Sequence, residues 1–463
     1  MLVPEVRAEF EGVRLGDPRL TTRAQRMAAA LVERPGASLP RAMGSTAARE
    51  GAYRFLSNRQ VTLDRVIAGH VAATVGRARV AKKVLVVSDT TEFEFSTERE
   101  GLGLLSRNRR DGFIAHFKLA VSADGRRTPL GVLGIETIVR AARKGRRDNV
   151  ARKKDPERES LRWRRGVDIA SEQLGDIEAI HVMDREADIY ELLSSLVGDG
   201  QRFIIRSGQE RLIDEGLLST AVQSTPLRFS REVKLSARHP ARQPESRRRN
   251  PARRARQAQL AVSTTRVTLH KPKAAFDGDL PASITVNVVR VWEPEPMPGE
   301  PPVEWRLFTS EPVDTQDQVE QIIDGYRARW VIEEYFKALK TGCNFEQSQL
   351  ESLASLENLL GIYIPVAWQL LVLRSTARDE PHRPAMDALS PRQLTVLRLI
   401  VRGKPLPPEP TIGDAATAIA DLGGHIKSNG PPGWQVLGRG FEELRRAEHL
   451  YTQMIPSTSS DQS

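Results

Sequence analysis

Residues 84–91 read VLVVSDTT, and the architecture of the chain follows from them. A run of branched apolar residues without alternation predicts a short strand covered on both faces, since a half-solvated strand would alternate. The run stops at an acid, Asp89. The same pattern recurs at residues 179–184, AIHVMD, where a second apolar run ends in Asp184. A carboxylate at a strand end points into the crevice where α/β sheets place their sites.

Outward from these runs, residues 113–122 (FIAHFKLAVS) alternate as a strand with one buried face does, and Asp124-Gly125 is a hairpin turn signal. A third strand follows around residues 129–139. Beyond a charged stretch at 140–165 come a helix ending near Gly175, the strand before Asp184, a helix at 187–196 and a strand at 202–206 (RFIIR). Three strands, a helix, a strand, a helix and a strand is the order of a ribonuclease-H-like mixed sheet, so the predicted fold class is α/β. Strand-rich sequence at about 207–311 reads as a β insertion. It holds arginines at 242, 247, 248, 249, 253, 254 and 256 and a Pro/Glu-rich loop at 293–302. The predicted organisation is an N-terminal helical segment (1–70), a core (71–375) and a C-terminal helical segment (376–463). Residues 381–410 read as linker-like in places. Residues 411–450 read as two helices around a Gly-rich loop from Gly423-Gly424 to Gly440, and 456–463 as a disordered tail.

A long helix is predicted over residues 316–340, with Thr315 and Gln318 as a capping box and Gly342 as its C-terminal glycine cap. Tyr326, Arg329, Glu333, Lys337 and Lys340 then fall on one stripe. An acid ringed by bases can hold a metal while the bases hold phosphates. The same spacing also fits a solvated face with an Arg329–Glu333 ion pair.

If Asp89, Asp184 and Glu333 converge, three carboxylates repel one another, and a divalent cation resolves the repulsion. Oxygen-only ligands favour Mg²⁺ or Mn²⁺. Each aspartate alone also fits a helix N-cap. Glu186 is a rival ligand to Asp184, and Asp188 reads as a cap of the following helix.

Lys plus Arg number 69 against 59 Asp plus Glu, a net charge of +10. That balance suits a polyanionic partner and equally a basic enzyme of no special partner. The lone cysteine, Cys343, permits no intrachain disulfide and no cysteine-based zinc site, which fits a reducing cytoplasm. The N-terminus has no apolar signal core. Residues 359–373 are apolar but short for a membrane span and contain Pro365; they read as a buried helix broken or kinked there.

The helix motif YRARWVIEEYFKALKTG (326–342) does not stand alone. It follows LGDPR (15–19), EGAYRF (50–55), SDTT (88–91), DREADI (184–189), Arg206-Ser207 and FTSEP (308–312), and precedes LGG (422–424) and Gly433-Trp434. In these motifs and their order the chain resembles bacterial cut-and-paste transposases of the insertion-sequence-four family. The resemblance implies Asp89, Asp184 and Glu333 as catalytic acids holding two Mg²⁺ ions about 4 Å apart, with Mn²⁺ able to substitute. It implies Tyr326, Arg329 and Lys340 as phosphate contacts and Arg206 as a DNA contact, with Lys337 on the same basic stripe. It implies Trp305 stacked on a flipped-out base, with Trp330 near it; Trp305 also reads as a core residue of the insertion. The implied partners are double-stranded transposon ends and target DNA, bound by a homodimer that the C-terminal segment helps to pair, in the bacterial cytoplasm at the nucleoid and not at a membrane. The implied steps are nicking, hairpin formation, hairpin opening and strand transfer.

The sequence departs from the family pattern near its start. A tryptophan upstream of LGDPR is missing, and Arg19-Leu20 stands where the family has an Arg-Arg pair. The arginine run at 242–256 is heavier than the family's. Two other readings fit part of the pattern: a ribonuclease-H-like nuclease that cuts without joining, and a non-catalytic end-binding regulator. The intact acids argue against the regulator.

Overall fold

An apolar strand without alternation needs cover on both faces, and here it has it. The computed structural model describes residues 6–34, 37–105, 110–140, 155, 157–235, 252–273, 279–300, 302–426 and 432–454. Strand β1 (Lys83–Phe95) pairs antiparallel with β2 (Asp111–Ser122), and β2 pairs antiparallel with β3 (Pro129–Ile138). On its other side β1 pairs parallel with β4 (Glu178–Met183), which pairs parallel with β5 (Phe203–Arg206). The result is the mixed α/β sheet read from the sequence, in the spatial order β3-β2-β1-β4-β5.

Side chains alternate across β1 as the pleat requires. Leu85 and Val87 pack into the core that contains Ile322 and Ile332. Val84 and Val86 pack with Ala170 and Leu174 on the other face. Asp89 continues the first row and Thr90 the second.

The predicted insertion does not stand off this sheet. Strands β6 (Phe229–Leu235), β7 (Arg256–His270), β8 (Ser283–Trp292) and β9 (Glu304–Thr309) extend it, with β9 antiparallel to β5 and Leu307 opposite Arg206. Arg256 is ion-paired with buried Glu293 and, at 3.1 Å, with Glu300. The acids of the Pro/Glu-rich loop thus absorb part of the predicted basic cluster. Arg242 and Arg247 to Arg249 lie outside the described residues, as do 456–463.

Helix α1 (Pro18–Glu33) starts where Asp17 accepts from the Arg19 N–H, with Pro18 in the first turn. Helix α2 (Thr46–Leu56) is capped by Ser45. Helix α3 (Leu63–Ala81) leads directly into β1. The N-terminal segment is tied down by buried Glu9, which bonds His70 at 2.5 Å and Arg77 at 2.7 Å. His70 Nε2 in turn accepts from the Val132 N–H on β3. Helix α4 (Arg162–Leu174) and helix α5 (Tyr190–Gly198) connect the parallel strands.

Two expectations are corrected in the C-terminal half, and a third gains detail. The long helix Leu353–Asp379 runs through Pro365 without breaking, since residues 355–356 and 358–368 are buried around it. By length and composition it could cross a membrane, but 83% of its most apolar window is buried inside the protein. Residues 381–410 contain a helix, Pro391–Ile400, with a Ser390–Gln393 capping box and proline in its first turn. Gly440 is not in a loop but in the last helix, Trp434–Met454, which packs on Ile412–Leu422. A Cβ at Gly440 would lie 1.7 Å from the Ile419 carbonyl oxygen, and one at Gly423 1.9 Å from that of Val436. These glycines serve close approach of two helices, which sequence alone does not separate from a turn.

Candidate active site

The predicted helix over residues 316–340 is present in two pieces and a widened turn. Helix α6 (Gln316–Arg327) begins with the predicted Thr315–Gln318 capping box. At Ala328-Arg329 the hydrogen bonds tighten to i−3: Arg329 N–H to Tyr326 O (3.0 Å), Val331 N–H to Ala328 O (2.9 Å). Helix α7 (Trp330–Lys337) passes into a π turn, Ala338–Gly342. Gly342 is not the cap: the Cys343 N–H closes the turn on Ala338 O at 2.8 Å, and Asn344 takes the left-handed conformation (φ 51°). The even stripe read from the sequence is therefore interrupted. Arg329 and Glu333 share a face, whereas Lys340 reaches back to β1, bonding Glu92 O, with its ammonium 3.4 Å from Glu346.

Asp89 is not at the end of β1, which continues to Phe95. What ends is its parallel neighbour: the last β1–β4 pair is Val87–Val182, and Asp89 and Asp184 each lie two residues beyond. Asp89 Oδ1 accepts from the Thr90 N–H at 2.7 Å, and its Oδ2 accepts from Arg329 Nη1 at 2.9 Å. The same guanidinium donates through Nη2 to Glu333 Oε1 at 2.5 Å. Asp184 N-caps the short turn Arg185–Ala187 and accepts from the Glu186 N–H at 2.8 Å. The ion-pair reading of Arg329–Glu333 and the N-cap reading of Asp184 both hold here, within one cluster of charge.

Electrostatics ties the cluster together. Burial pushes the Asp89 carboxyl up from 3.8 to about 7, reinforced by repulsion from Asp184 and Glu333 and opposed by Arg329 and the Thr90 N–H. Among the described residues no group of three His, Cys, Asp or Glu side chains is arranged to hold a metal ion. Instead Arg329, with its side chain 15% exposed, lies between Asp89 and Glu333 as an internal cation. Hard oxygen donors, partly desolvated and repelling one another, fit a divalent cation in chemistry. Occupation would require Arg329 to give up part of its hold.

A stability test follows. A native carboxyl with a raised pKa keeps its proton to higher pH than the unfolded chain, so stability falls as pH rises from about 4 to about 7. In metal-free buffer Asp89→Asn should therefore gain melting temperature relative to the parent between pH 5 and pH 8. A constant difference across that range would refute the raised pKa.

The other predicted residues are placed as follows. Tyr326 is buried, and its ring meets that of Trp305 edge-on at 5.6 Å. Trp305, on β9, is half-buried and packs on the main core. Trp330 is 53% exposed, and Lys337 Nζ lies 5.4 Å over its ring while bonding Glu334 at 2.7 Å. Arg206 ends β5 and donates to Glu304 O at 3.3 Å. Glu186 is exposed and paired with Arg162 at 3.0 Å.

Asp188 is not a helix cap. It is fully buried and ion-paired with Arg211, and it accepts from the N–H groups of Gly208 (2.7 Å) and Gln209 (2.9 Å). Helix α5 starts after Ile189 with no side-chain cap. The sequence reading missed Arg211 and Arg162 altogether. Nothing in a charged run separates an arginine that turns inward from its neighbours.

Comparison with known proteins finds two family models that match parts of the chain. Residues 6–61 match the family model described as Transposase DNA-binding, and residues 169–366 match that described as Transposase DDE domain. Over these two segments the chain is similar to transposases. The second match takes in Asp184 and Glu333, while Asp89 lies before it and shares Arg329 with Glu333. Among solved structures the chain is similar to the piggyBac transposase synaptic complex with hairpin DNA, at 7% identity and a TM-score of 0.33. The alignment covers 81% of this chain and 55% of that one, so the chain spans about half its length.

Proposed function

We propose that the chain is a cut-and-paste transposase of the insertion-sequence-four family, resembling the transposon-five transposase, with Asp89, Asp184 and Glu333 as its catalytic acids. The observation that carries this reading is the half-buried Arg329 shared by Asp89 on β1 and Glu333 on α7, with Asp184, in the turn after β4, near enough to repel the Asp89 carboxyl. Mg²⁺, or Mn²⁺ in its place, supplies the Lewis acidity that phosphoryl transfer between DNA strands requires. The carboxylates of Asp89, Asp184 and Glu333 would hold the cations. Arg329 neutralises the acids in the free protein and turns toward a backbone phosphate when DNA binds, with Lys337, Lys340 and Arg206 as further phosphate contacts.

The basic N-terminal segment within residues 1–70 reads the ends, the core at 71–375 performs the chemistry, and the segment at 376–463 pairs two subunits in the bacterial cytoplasm. The test uses pre-cut end DNA and a supercoiled plasmid with Mg²⁺. Joined product is expected; cleavage of uncut ends without any joining would instead make the chain a nuclease.

Trp305 supports a hairpin step. A duplex end cannot bend back on itself while its terminal base stays stacked, and unstacking costs a few kcal/mol. Base–aromatic stacking returns roughly 1–3 kcal/mol, and Trp305 is half-buried, held edge-on by Tyr326, with exposed Trp330 following on α7. Trp305→Ala should spare the first nick and slow hairpin formation about 10- to 100-fold. Nicked and hairpin products resolved over time on a denaturing gel would show it. Equal slowing of both steps would make Trp305 a core residue only.

A further inference from the structure

The ladder between β1 and β4 ends at Val87–Val182, so beyond it no main-chain pairing of these strands sets the distance from Asp89 to Asp184. A side chain spans the gap instead. Arg162, the first residue of α4, is buried with 7% exposure. Its Nε donates to Thr90 Oγ1 at 3.0 Å and its Nη2 to Glu186 Oε2 at 3.0 Å. Thr90 follows Asp89 directly, and Glu186 lies two residues past Asp184 in the turn that Asp184 caps. The remaining nitrogen, Nη1, donates to Glu159 O at 3.0 Å and fixes the guanidinium to the start of its own helix.

Thr90 is held from a second side. Its hydroxyl hydrogen-bonds His116 Nδ1 at 2.9 Å, and His116 is the residue opposite it on β2. His116 is fully buried, its ring 4.7 Å from and nearly perpendicular to that of Trp163. Burial holds this imidazole well below its usual range and therefore neutral, so Arg162 meets no second charge there.

We propose that Arg162 is a positioning residue that fastens the β1 segment carrying Asp89 to the turn carrying Asp184, and so sets the spacing of the two acids. It works from beneath: Thr90 points to the α4 face of the sheet and Asp89 to the α7 face. A planar guanidinium suits this task because its donors leave in fixed directions, whereas a lysine offers one mobile nitrogen. Groups that orient metal ligands from outside commonly account for 10- to 100-fold in metal affinity. The inference rests on Asp89 and Asp184 being metal ligands, and the test separates the two claims.

The measurement is Mn²⁺ binding to the full chain without DNA, followed by the electron paramagnetic resonance of free Mn²⁺, with melting temperature recorded in parallel. Arg162→Ala should weaken binding about tenfold or more. Arg162→Lys, which keeps the charge but not the fork, should remain weak. Thr90→Val removes one acceptor without changing charge and should weaken binding severalfold, while Thr90→Ser should bind like the parent. Asp184→Asn serves as the control for the underlying reading. If it binds Mn²⁺ as the parent does, the ligand assignment fails first. If it loses binding while the Arg162 and Thr90 variants keep it, the ligands stand and the positioning role is overturned. Recovery of affinity in Arg162→Lys would likewise overturn it, by showing that charge suffices. If Arg162→Ala melts too low to measure, the Thr90→Val and Thr90→Ser pair decides alone: equal affinity in both refutes the proposal.

Discussion

Changing Asp89 to Asn, Asp184 to Asn or Glu333 to Gln should each lower Mg²⁺-dependent cleavage of end DNA by at least about 10²- to 10³-fold, the scale of losing one preorganised charge-stabilising group. End binding should persist, because each change keeps the shape of the side chain and removes a negative charge from the site proposed to face DNA. The three variants should differ in what they do to Arg329. In the free protein this arginine is shared between Asp89 and Glu333, so removing either acid leaves the guanidinium with the other. Removing Asp184 leaves that pair intact and takes away one source of repulsion on Asp89. Asp184→Asn is therefore the cleanest of the three: it should cleave poorly with an undisturbed Arg329. Near-parental cleavage by this variant would move the second ligand to Glu186. That residue could serve only by leaving Arg162, which bonds it at 3.0 Å.

How much of this was open to the sequence depends on which signals are local. The VLVV run and the acid after it fix a covered strand and a candidate ligand because burial and alternation are written residue by residue. The capping box at Thr315 was legible for the same reason: it involves two side chains three residues apart. What stayed hidden is what distant residues do to one another. The continuation of β1 past Asp89 depends on β2, which pairs with it as far as Phe95–Asp111. The tightened turn at Ala328-Arg329 and the π turn after Lys337 lie in a segment whose composition is helical throughout. Gly440 reads as a loop residue until a second helix is known to need the space of its missing side chain. Arg162 sits in a charged stretch with nothing to mark it out, and only the folded chain shows it turned inward to Thr90. Local grammar thus located the acids, and long-range packing decides how they are held.

The same distinction makes Asp188 the strongest test of the fold around the site. Read locally, it is a capping residue, and its loss would cost about 1 kcal/mol. In the structure its carboxylate is fully buried and binds the Arg211 guanidinium and two backbone N–H groups, while its own carbonyl accepts from Gln209 Nε2 and Arg211 Nη2. It therefore joins the turn that carries Asp184 to the loop that follows Arg206. The fit between them is close: a Cβ on Gly208 would lie 2.8 Å from the Cβ of Arg185. Asp188→Ala leaves Arg211, itself 6% exposed, as an uncompensated buried charge, and breaking such a pair from one side costs about 3–5 kcal/mol. Asp188→Asn keeps the shape and should cost less, about 1–3 kcal/mol, because the amide cannot accept from all of these donors. Removing both partners, in Asp188→Ala with Arg211→Ala, should cost less than the sum of the single changes, since the stranded charge is gone. Urea unfolding of the parent, Asp188→Ala, Asp188→Asn, Arg211→Ala and the double variant measures each of these terms. A loss of only about 1 kcal/mol in Asp188→Ala would return the residue to the capping role its sequence position suggests. A loss near the upper figure would show that the turn bearing the second acid and the loop bearing Arg206 are held by one buried carboxylate.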